Sequence, residues 1–437
     1  MLYIATDAEN TNWLVYLFGE FKRINRAKFD IRVVGIDENL NSNNVIYYTK
    51  SALGKVNLVN KSNILPVGKT KYLSEKIFIV EGTDSNNINF IINYDLFWNA
   101  FVFLSRYEEY SAEKCGRKIK SYSSNHPRSD KTTFNLPIVN NLFNELEKII
   151  KDNFSHLSFG KEQEPVVESS HDVDYINKTL QLRIKKTSFD IGSNFKNIGQ
   201  PKKFLKGLGK TINFIFSHPT YWCFDYWKQQ GKKNNRRSIF YVYCKVRKKK
   251  FNSWLIDPSY NIVSNQNLKQ ELRECLACGF EVGLHGSFGS AVDNKLLAKE
   301  KEILSDSLNC DVTRVRQHWL RYEEKITPYL HDGLFEVDST LGFNDLIGFR
   351  SGVLSKYMPY DHKAQRSFKF FIVPQIIMDS NIFDYSQNLR ESISRAAEML
   401  DMLKDYKSSY VAISWHQRSP SSDYGWAQTY KELLKIQ

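Results

Sequence analysis

The chain has 437 residues and a formal net charge of +13, with 42% hydrophobic and 14% aromatic residues. That length exceeds one ordinary small core and sets two domains as the starting expectation, while the apolar content excludes a disordered chain. The charge favours an anionic contact, but no helix-turn-helix, zinc-finger or RNA-binding signature accompanies it, so a solvated or membrane-proximal basic surface is expected and no specific nucleic acid.

The basic excess gathers at Lys202–Lys210, Lys232–Arg237 and Arg247–Lys250, which read as exposed loops and helix ends. The first residues show no basic leader, apolar stretch and small-residue cleavage site, and no apolar run reaches about eighteen residues. A cytoplasmic location is therefore expected, with peripheral contact to an anionic membrane surface through the basic runs. Six cysteines are sparse and without framework spacing; Cys275 and Cys278 form a lone CxxC on a predicted helix and read as structural.

In chain order, a strand at Leu2–Ala5, a helix at Thr11–Phe21 and a strand at Ile31–Ile36 make a βαβ unit. Asn-rich polar stretches follow at 39–44, 60–63 and 86–89. Tyr94–Tyr110 then carries aromatic and apolar residues at core-helix spacing. Leu136–Ile150 is predicted as an amphipathic helix with Pro137 near its start. The polar stretch Lys151–Pro165 marks a boundary between a smaller N-terminal α/β domain, residues 1–162, and a second domain, residues 163–437.

The second domain alternates short apolar strands with helical segments. Strands are predicted at Val166–Ser169, Ile239–Tyr243, Glu281–Leu284, Val315–His318, Phe335–Val337, Phe370–Val373 and Tyr410–Ile413. Such alternation implies a parallel sheet or barrel with its chemistry at the strand C-termini. Several of these strands run into ionisable residues: His171, Asp172 and Asp174 after the first, His285 after Val282-Gly283-Leu284, His318 after Val315-Arg316-Gln317, and His416 after Ile413-Ser414-Trp415. Two neighbouring carboxylates can divide labour, one binding a divalent cation and the other staying free as a base. Neutral imidazoles from His285 and His318 suit zinc or a similar metal, and His416 suits a general acid. His126, His156, His218, His331 and His362 are read as core or surface residues, while His171 stands equally as a supporting donor or a packed ring.

The order of these motifs resembles the polysaccharide deacetylase family, the chitooligosaccharide-deacetylase homology domain of carbohydrate esterases, over about residues 165–437. Ser170-His171-Asp172-Val173-Asp174 is similar to its first motif, which implies Asp172 as base and Asp174 as metal ligand. Glu281-Val282-Gly283-Leu284-His285-Gly286-Ser287 resembles the second, with His285 as ligand. Arg316-Gln317-His318-Trp319 resembles the third, with Arg316 pairing the base and a backbone N–H near Trp319 facing the oxyanion. Asp338-Ser339-Thr340-Leu341-Gly342-Phe343 and Gly348-Phe349-Arg350-Ser351-Gly352 look like the fourth, shaping one side of a groove. Ile413-Ser414-Trp415-His416 is similar to the fifth, which delivers the acid. Leu104-Ser105-Arg106-Tyr107-Glu108-Glu109-Tyr110, with Pro374 and Met378-Asp379, looks like a bacterial branch of the family.

The fold this implies is a distorted (β/α) barrel of the polysaccharide-deacetylase type behind the N-terminal α/β domain. The function it implies is metal-dependent removal of an acyl group, N-acetyl above all, from an amino sugar of a polysaccharide or glycan precursor. Trp319, Asp338, Arg350 and Trp415 are the expected substrate contacts. One departure stands out: where the family has a second histidine ligand in its second motif, this chain has Gly289, and His318 is the expected replacement. The competing readings are a hydrolase of another C–N bond in a small amide, and a decayed glycan-binding or assembly protein.

Overall fold

Strand β8 (Ser238–Tyr243) reads Ser-Ile-Phe-Tyr-Val-Tyr and is buried at every position, as a parallel strand covered on both faces must be. In the computed structural model, which describes residues 1–50, 53, 56–59, 71–73, 76–78, 95–128, 130–195, 198–234, 238–246, 254 and 256–436, this strand lies inside an eight-stranded sheet. Its members are β7 (Val166–Val173), β8, β9 (Glu281–Gly286), β10 (Arg314–Gln317), β11 (Val337–Asp338), β14 (Phe371–Ile372), β15 (Gln375–Met378) and β16 (Tyr410–Ser414), in the order β14-β11-β10-β9-β8-β7-β16-β15. All seven pairings are parallel.

The two edge strands of this sheet are consecutive in the chain, separated only by Val373 and Pro374. Val373 N–H donates to the Asp338 carbonyl at 2.9 Å on one side, and the Pro374 carbonyl accepts from Ala412 N–H at 2.8 Å on the other. One extended segment thus touches both edges, and the sheet curls into a distorted (β/α) barrel. Pro374 has no N–H to continue a ladder, which lets the segment change partners there. The predicted strand Phe370–Val373 captured the first half of this seam and missed β15.

β7 runs four residues further than its predicted end at Ser169. Ser170 to Val173 pair with β8, from Ser170↔Ile239 to Val173↔Val242, so tertiary pairing overrides the polar composition of Ser170-His171-Asp172. The covering helices are amphipathic. Asn294–Leu308, for example, is capped by Asp293, buries Leu297, Leu304 and Leu308, and stops at Asn309 in the left-handed region.

The N-terminal part forms a parallel sheet from β1 (Leu2–Thr6), β2 (Ile31–Gly35), β3 (Val45–Thr49) and β4 (Asn57–Val59), in the order β2-β1-β3-β4. The helix Leu96–Leu104 is buried at all its positions, as its run of Phe, Trp and Leu demands. The core of this part does not stop at the expected boundary near residue 163. Trp13, Phe97 and Phe101 share one apolar cluster with Tyr357, Phe368 and Phe370 of the barrel.

The run Lys202–Lys210 belongs to the helix Pro201–Phe216 and not to a loop; Pro201 at its first turn and apolar residues at helical spacing favour that outcome. The run Arg247–Lys250, residues 235–237 and the Asn-rich stretches 60–63 and 86–89 lie outside the described residues. Among the described residues no helix is long and apolar enough to cross a membrane.

Candidate metal centre and active site

Alternation along β7 sends Glu168, Ser170 and Asp172 to one face and His171 to the other. The first set lines the barrel interior, where a polar column replaces the usual apolar filling. Glu168 pairs with Arg314 at 3.0 Å. Above it, Arg316 Nη1 donates to Asp172 Oδ1 at 2.7 Å, Ser170 Oγ at 2.8 Å and Ser414 Oγ at 3.0 Å. Its Nε and Nη2 reach the Ser339 carbonyl and hydroxyl, and its guanidinium lies over the Tyr241 ring. Burial favours the neutral form of Asp172, but Arg316 together with His285 and His416 outweighs it and holds the carboxyl below its ordinary value.

On the opposite face, His171 stacks on Trp227 at 4.0 Å between centroids and is bonded by Nδ1 to the Trp415 carbonyl and by Nε2 to Ser238 Oγ, each at 3.0 Å. Burial pushes its pKa down to about 3. Both ring nitrogens are committed, so His171 is a packed ring and not a functional group.

Past the end of β7, Asp174 is the focus of four side chains. His285 Nε2 lies 3.3 Å and His318 Nε2 3.8 Å from its Oδ1; His416 Nε2 lies 3.4 Å and Arg418 Nη1 3.1 Å from its Oδ2. Burial would raise this carboxyl, yet the facing imidazoles, when their Nε2 atoms carry protons, hold it well below the usual range. Oδ1 is buried and has no hydrogen-bond partner among the described residues.

The distal nitrogens explain why. His285 Nδ1 is 3.0 Å from the Arg316 carbonyl, and His318 Nδ1 is 3.1 Å from Asp257 Oδ1. An Nδ1–H donated to these acceptors leaves each Nε2 lone pair directed at a carboxylate oxygen, an arrangement that repels unless a cation lies between them. One ligand atom each from Asp174, His285 and His318 falls within 4.8 Å of the others, and all three residues are buried. One carboxylate with two imidazoles is a zinc-type donor set that leaves coordination positions open. The residues present therefore fit a divalent cation. Burial lowers the His318 pKa and so favours the neutral ring that a ligand requires, whereas at His285 burial is outweighed by Asp172 and Asp174, which raise it. Gly289 is not among the residues lining this cavity, and a Cβ added there would meet Leu296.

His416 is oriented by a carboxylate. Asp379, at the start of the short helix Asp379–Phe383, accepts from His416 Nδ1 at 2.7 Å and from the His416 backbone N–H at 2.8 Å. Burial opposes charge on this ring, but Asp379 with Asp174 more than offsets it and carries the pKa up to about 10.

These groups open on a cavity of about 190 Å³, walled also by Tyr175, Lys185, Phe189, Trp319, Tyr385 and Tyr424. Trp319 is 40% exposed at its mouth. Trp319 and Leu320 both have positive φ, 59° and 50°, a strained conformation for such residues. Asn344 Nδ2 bonds the Trp319 carbonyl at 2.8 Å and Ser121 Oγ bonds the Leu320 carbonyl, so a segment from the N-terminal part helps hold this loop.

Three expected groove residues lie elsewhere. Asp338 is fully buried, accepting from His331 Nδ1 at 2.9 Å and Thr340 N–H at 2.7 Å. Arg350 is buried against Glu109, at 2.7 Å, and Ser121. Trp415 is fully buried beneath Tyr430 and bonds the Trp426 carbonyl. Asp338 follows the strand position Val337 and packs under His331, Trp415 precedes His416 but turns under Tyr430, and Arg350 lies in a turn and has its guanidinium taken by Glu109. Sequence reasoning in turn passed over Asp257 and Arg418, which come from loops, and gave Asp379 no role; an Asp opening a helix reads as a cap.

Residues 2–155 match a family described only as a family of unknown function, DUF7033. No curated protein matches the chain. Among solved structures, the chain is similar to a putative polysaccharide deacetylase from Mycobacterium smegmatis, at 15% identity over 64% of this chain and 85% of that one, with a TM-score of 0.37. It is also similar to a mutant of a CE4 family pseudoenzyme with restored enzymatic activity, at 7% identity over 67% of this chain and 78% of that one, with a TM-score of 0.29.

Proposed function

We propose that the chain is a metal-dependent hydrolase that removes an acyl group, N-acetyl in the first instance, from an amino sugar of a polysaccharide or glycan precursor. The observation that carries this reading is the convergence on one cavity of a buried Asp174–His285–His318 donor set, an Arg316-held carboxylate and an Asp379-held imidazole. Asp174, His285 and His318 would hold the cation. A divalent ion such as zinc in that set supplies Lewis-acid polarisation of an acyl carbonyl and lowers the pKa of water.

The chain's own residues supply the rest. Arg316 fixes Oδ1 of Asp172 and keeps the carboxylate ionised, leaving Oδ2 to take a proton from the attacking water. His416, protonated through neutral pH and held by Asp379 at Nδ1, delivers a proton from Nε2 to the departing amine. The strained Trp319–Leu320 turn, which lines the cavity, would offer backbone N–H groups to the developing oxyanion. The test is acetate release from N-acetylated oligosaccharides by the zinc-supplemented chain. Asp172→Asn is expected to lower turnover by about a hundredfold or more while zinc binding persists; unchanged turnover in that variant would remove Asp172 from the base role.

A second reading, a glycan-binding protein with a decayed site, is favoured by one contact. Arg418 already places a positive charge 3.1 Å from Asp174, where a cation would otherwise be the only neutralising group besides the imidazoles. Arg418→Gln separates the two: metal affinity rises if Arg418 merely competes for Asp174, and stays absent if the site has lost its metal.

A further inference from the structure

Residues 180–216 form a pair of helices, Leu180–Phe195 and Pro201–Phe216. The start of the first lies against the end of the second: Arg183 Nη2 bonds the Ser217 carbonyl at 3.1 Å, and Lys178 Nζ bonds Ser217 Oγ at 2.5 Å. Gly207 permits close approach, because a Cβ there would collide with the Asn194 side chain.

The first helix has two useful faces. Leu182, Lys185, Lys186 and Phe189 line the cavity described above. On its outer side Leu180, Ile184, Ile191 and Phe195 recur at helical spacing as one stripe, and all four are exposed, Leu180 by 70%. The second helix repeats the pattern with Leu205, Ile212 and Phe216, exposed by 66%, 55% and 71%. Large exposed apolar side chains are ordinary when scattered singly, but a continuous set of them marks a contact surface.

The charge around the stripes identifies the contact. Between residues 178 and 217 the sequence holds nine basic residues and a single acid, Asp190. The helix Pro201–Phe216 contains no Asp or Glu. Its Lys202, Lys203 and Lys206 are exposed, as is Lys210, and none has an ion-pair partner among the described residues. An exposed apolar stripe flanked by lysines is the composition of a helix that lies in the plane of an anionic lipid surface. A second copy of the chain fits less well, since stripe-to-stripe contact would bring two lysine sets together.

We propose that this helix pair docks the chain on an anionic lipid bilayer, with the apolar stripes entering the boundary between headgroups and acyl chains and the lysines meeting the phosphates. Because the opposite face of the first helix lines the cavity, docking brings the site within about one helix diameter, roughly 10 Å, of the surface.

Flotation of the full chain with vesicles tests this. Binding is expected with phosphatidylcholine vesicles containing phosphatidylglycerol, not with phosphatidylcholine alone, and it should weaken as salt rises. Lys202→Gln with Lys206→Gln should weaken binding about fivefold per lysine. Leu205→Ser with Ile212→Ser and Phe216→Ser should weaken it about a hundredfold or more. Both variants change exposed positions and should keep the native unfolding midpoint. Absence of binding by the unmodified chain to the phosphatidylglycerol vesicles would overturn the proposal, whatever the variants do. So would undiminished binding in both variants, or a lipid-free dimer that the apolar variant abolishes.

Discussion

Two regions of this molecule bury charged side chains, and they do so differently. At the junction of the N-terminal part with the barrel, Glu109 is held by Arg106, by Arg350 at 2.7 Å and by His126 at 3.1 Å; Arg106 also meets Glu324 at 3.0 Å, and Arg128 meets Glu108 at 2.7 Å. Each charge there has an opposite charge at ion-pair distance. Among the described residues, buried atoms without a hydrogen bond occur in both regions, Nη1 and Nη2 of Arg106 and Oε2 of Glu324 at the junction and Oδ1 of Asp174 past the end of β7. What differs is what faces them, oppositely charged side chains at the junction and the Nε2 atoms of two imidazoles at Asp174. A network closed on itself fixes how two parts of a chain sit together. A carboxylate oxygen faced by imidazole nitrogens whose other ring nitrogens already meet a carbonyl and a carboxylate is suited to a cation.

The sharpest way to break this comparison is at the closed network. Arg350→Met leaves Glu109 and the Ser121 hydroxyl with fewer partners in a fully buried setting, and should cost about 3–5 kcal/mol of stability, read from denaturant unfolding, with metal binding intact. A loss of metal with little loss of stability would mean that the junction serves the site and not the fold.

A smaller effect belongs to His416. Its imidazolium, carried up to about 10 chiefly against the pull of burial by Asp379, is present below that value and lost as pH rises through it. Asp379→Asn removes the supporting charge and should move the alkaline limb of turnover to lower pH by on the order of one unit or more. An unmoved limb would take His416 out of the acid role.

The smallest effect is at the rim of the junction. Glu113, whose carboxyl accepts from Lys325 N–H at 2.9 Å, is pushed up to about 7 by burial. Folded chain holds this proton where unfolded chain has released it, so the stability it contributes is present at low pH and is lost as pH rises from the ordinary carboxyl value through about 7. Glu113→Gln should flatten that part of the melting temperature against pH; an unchanged slope would assign it to another group.

What the sequence made legible follows from where each residue gets its position. His285 and His416 were visible because an apolar parallel strand delivers each one, and a period-two run ending in an ionisable group survives without any tertiary knowledge. The last four residues of β7 were not visible, because their polar side chains are buried only by tertiary partners, the Arg316 column for Ser170 and Asp172 and Trp227 with Ser238 for His171. β15 was hidden by Pro374, which reads as a break and is in fact the seam. Asp257 and Arg418 come from loops with no period to read. Asp338, Arg350 and Trp415 show the converse: a motif names neighbours in the chain, but buried partners such as His331 for Asp338 and Glu109 for Arg350 decide which of them faces the cavity. The run Lys202–Lys210 reads as an exposed loop or helix end because its lysines outweigh the apolar spacing that makes Pro201–Phe216 one helix.

The measurement closest to the central claim is zinc content and affinity of the purified chain beside Asp174→Ala, His285→Ala and His318→Ala, with Asp338→Asn as a buried control away from the cavity. The expected result is near-stoichiometric zinc in the native chain and the control, and its loss in all three site variants. Absence of bound metal in the native chain after supplementation, or retention of it in His318→Ala, would contradict a centre in which His318 stands where Gly289 offers no ligand.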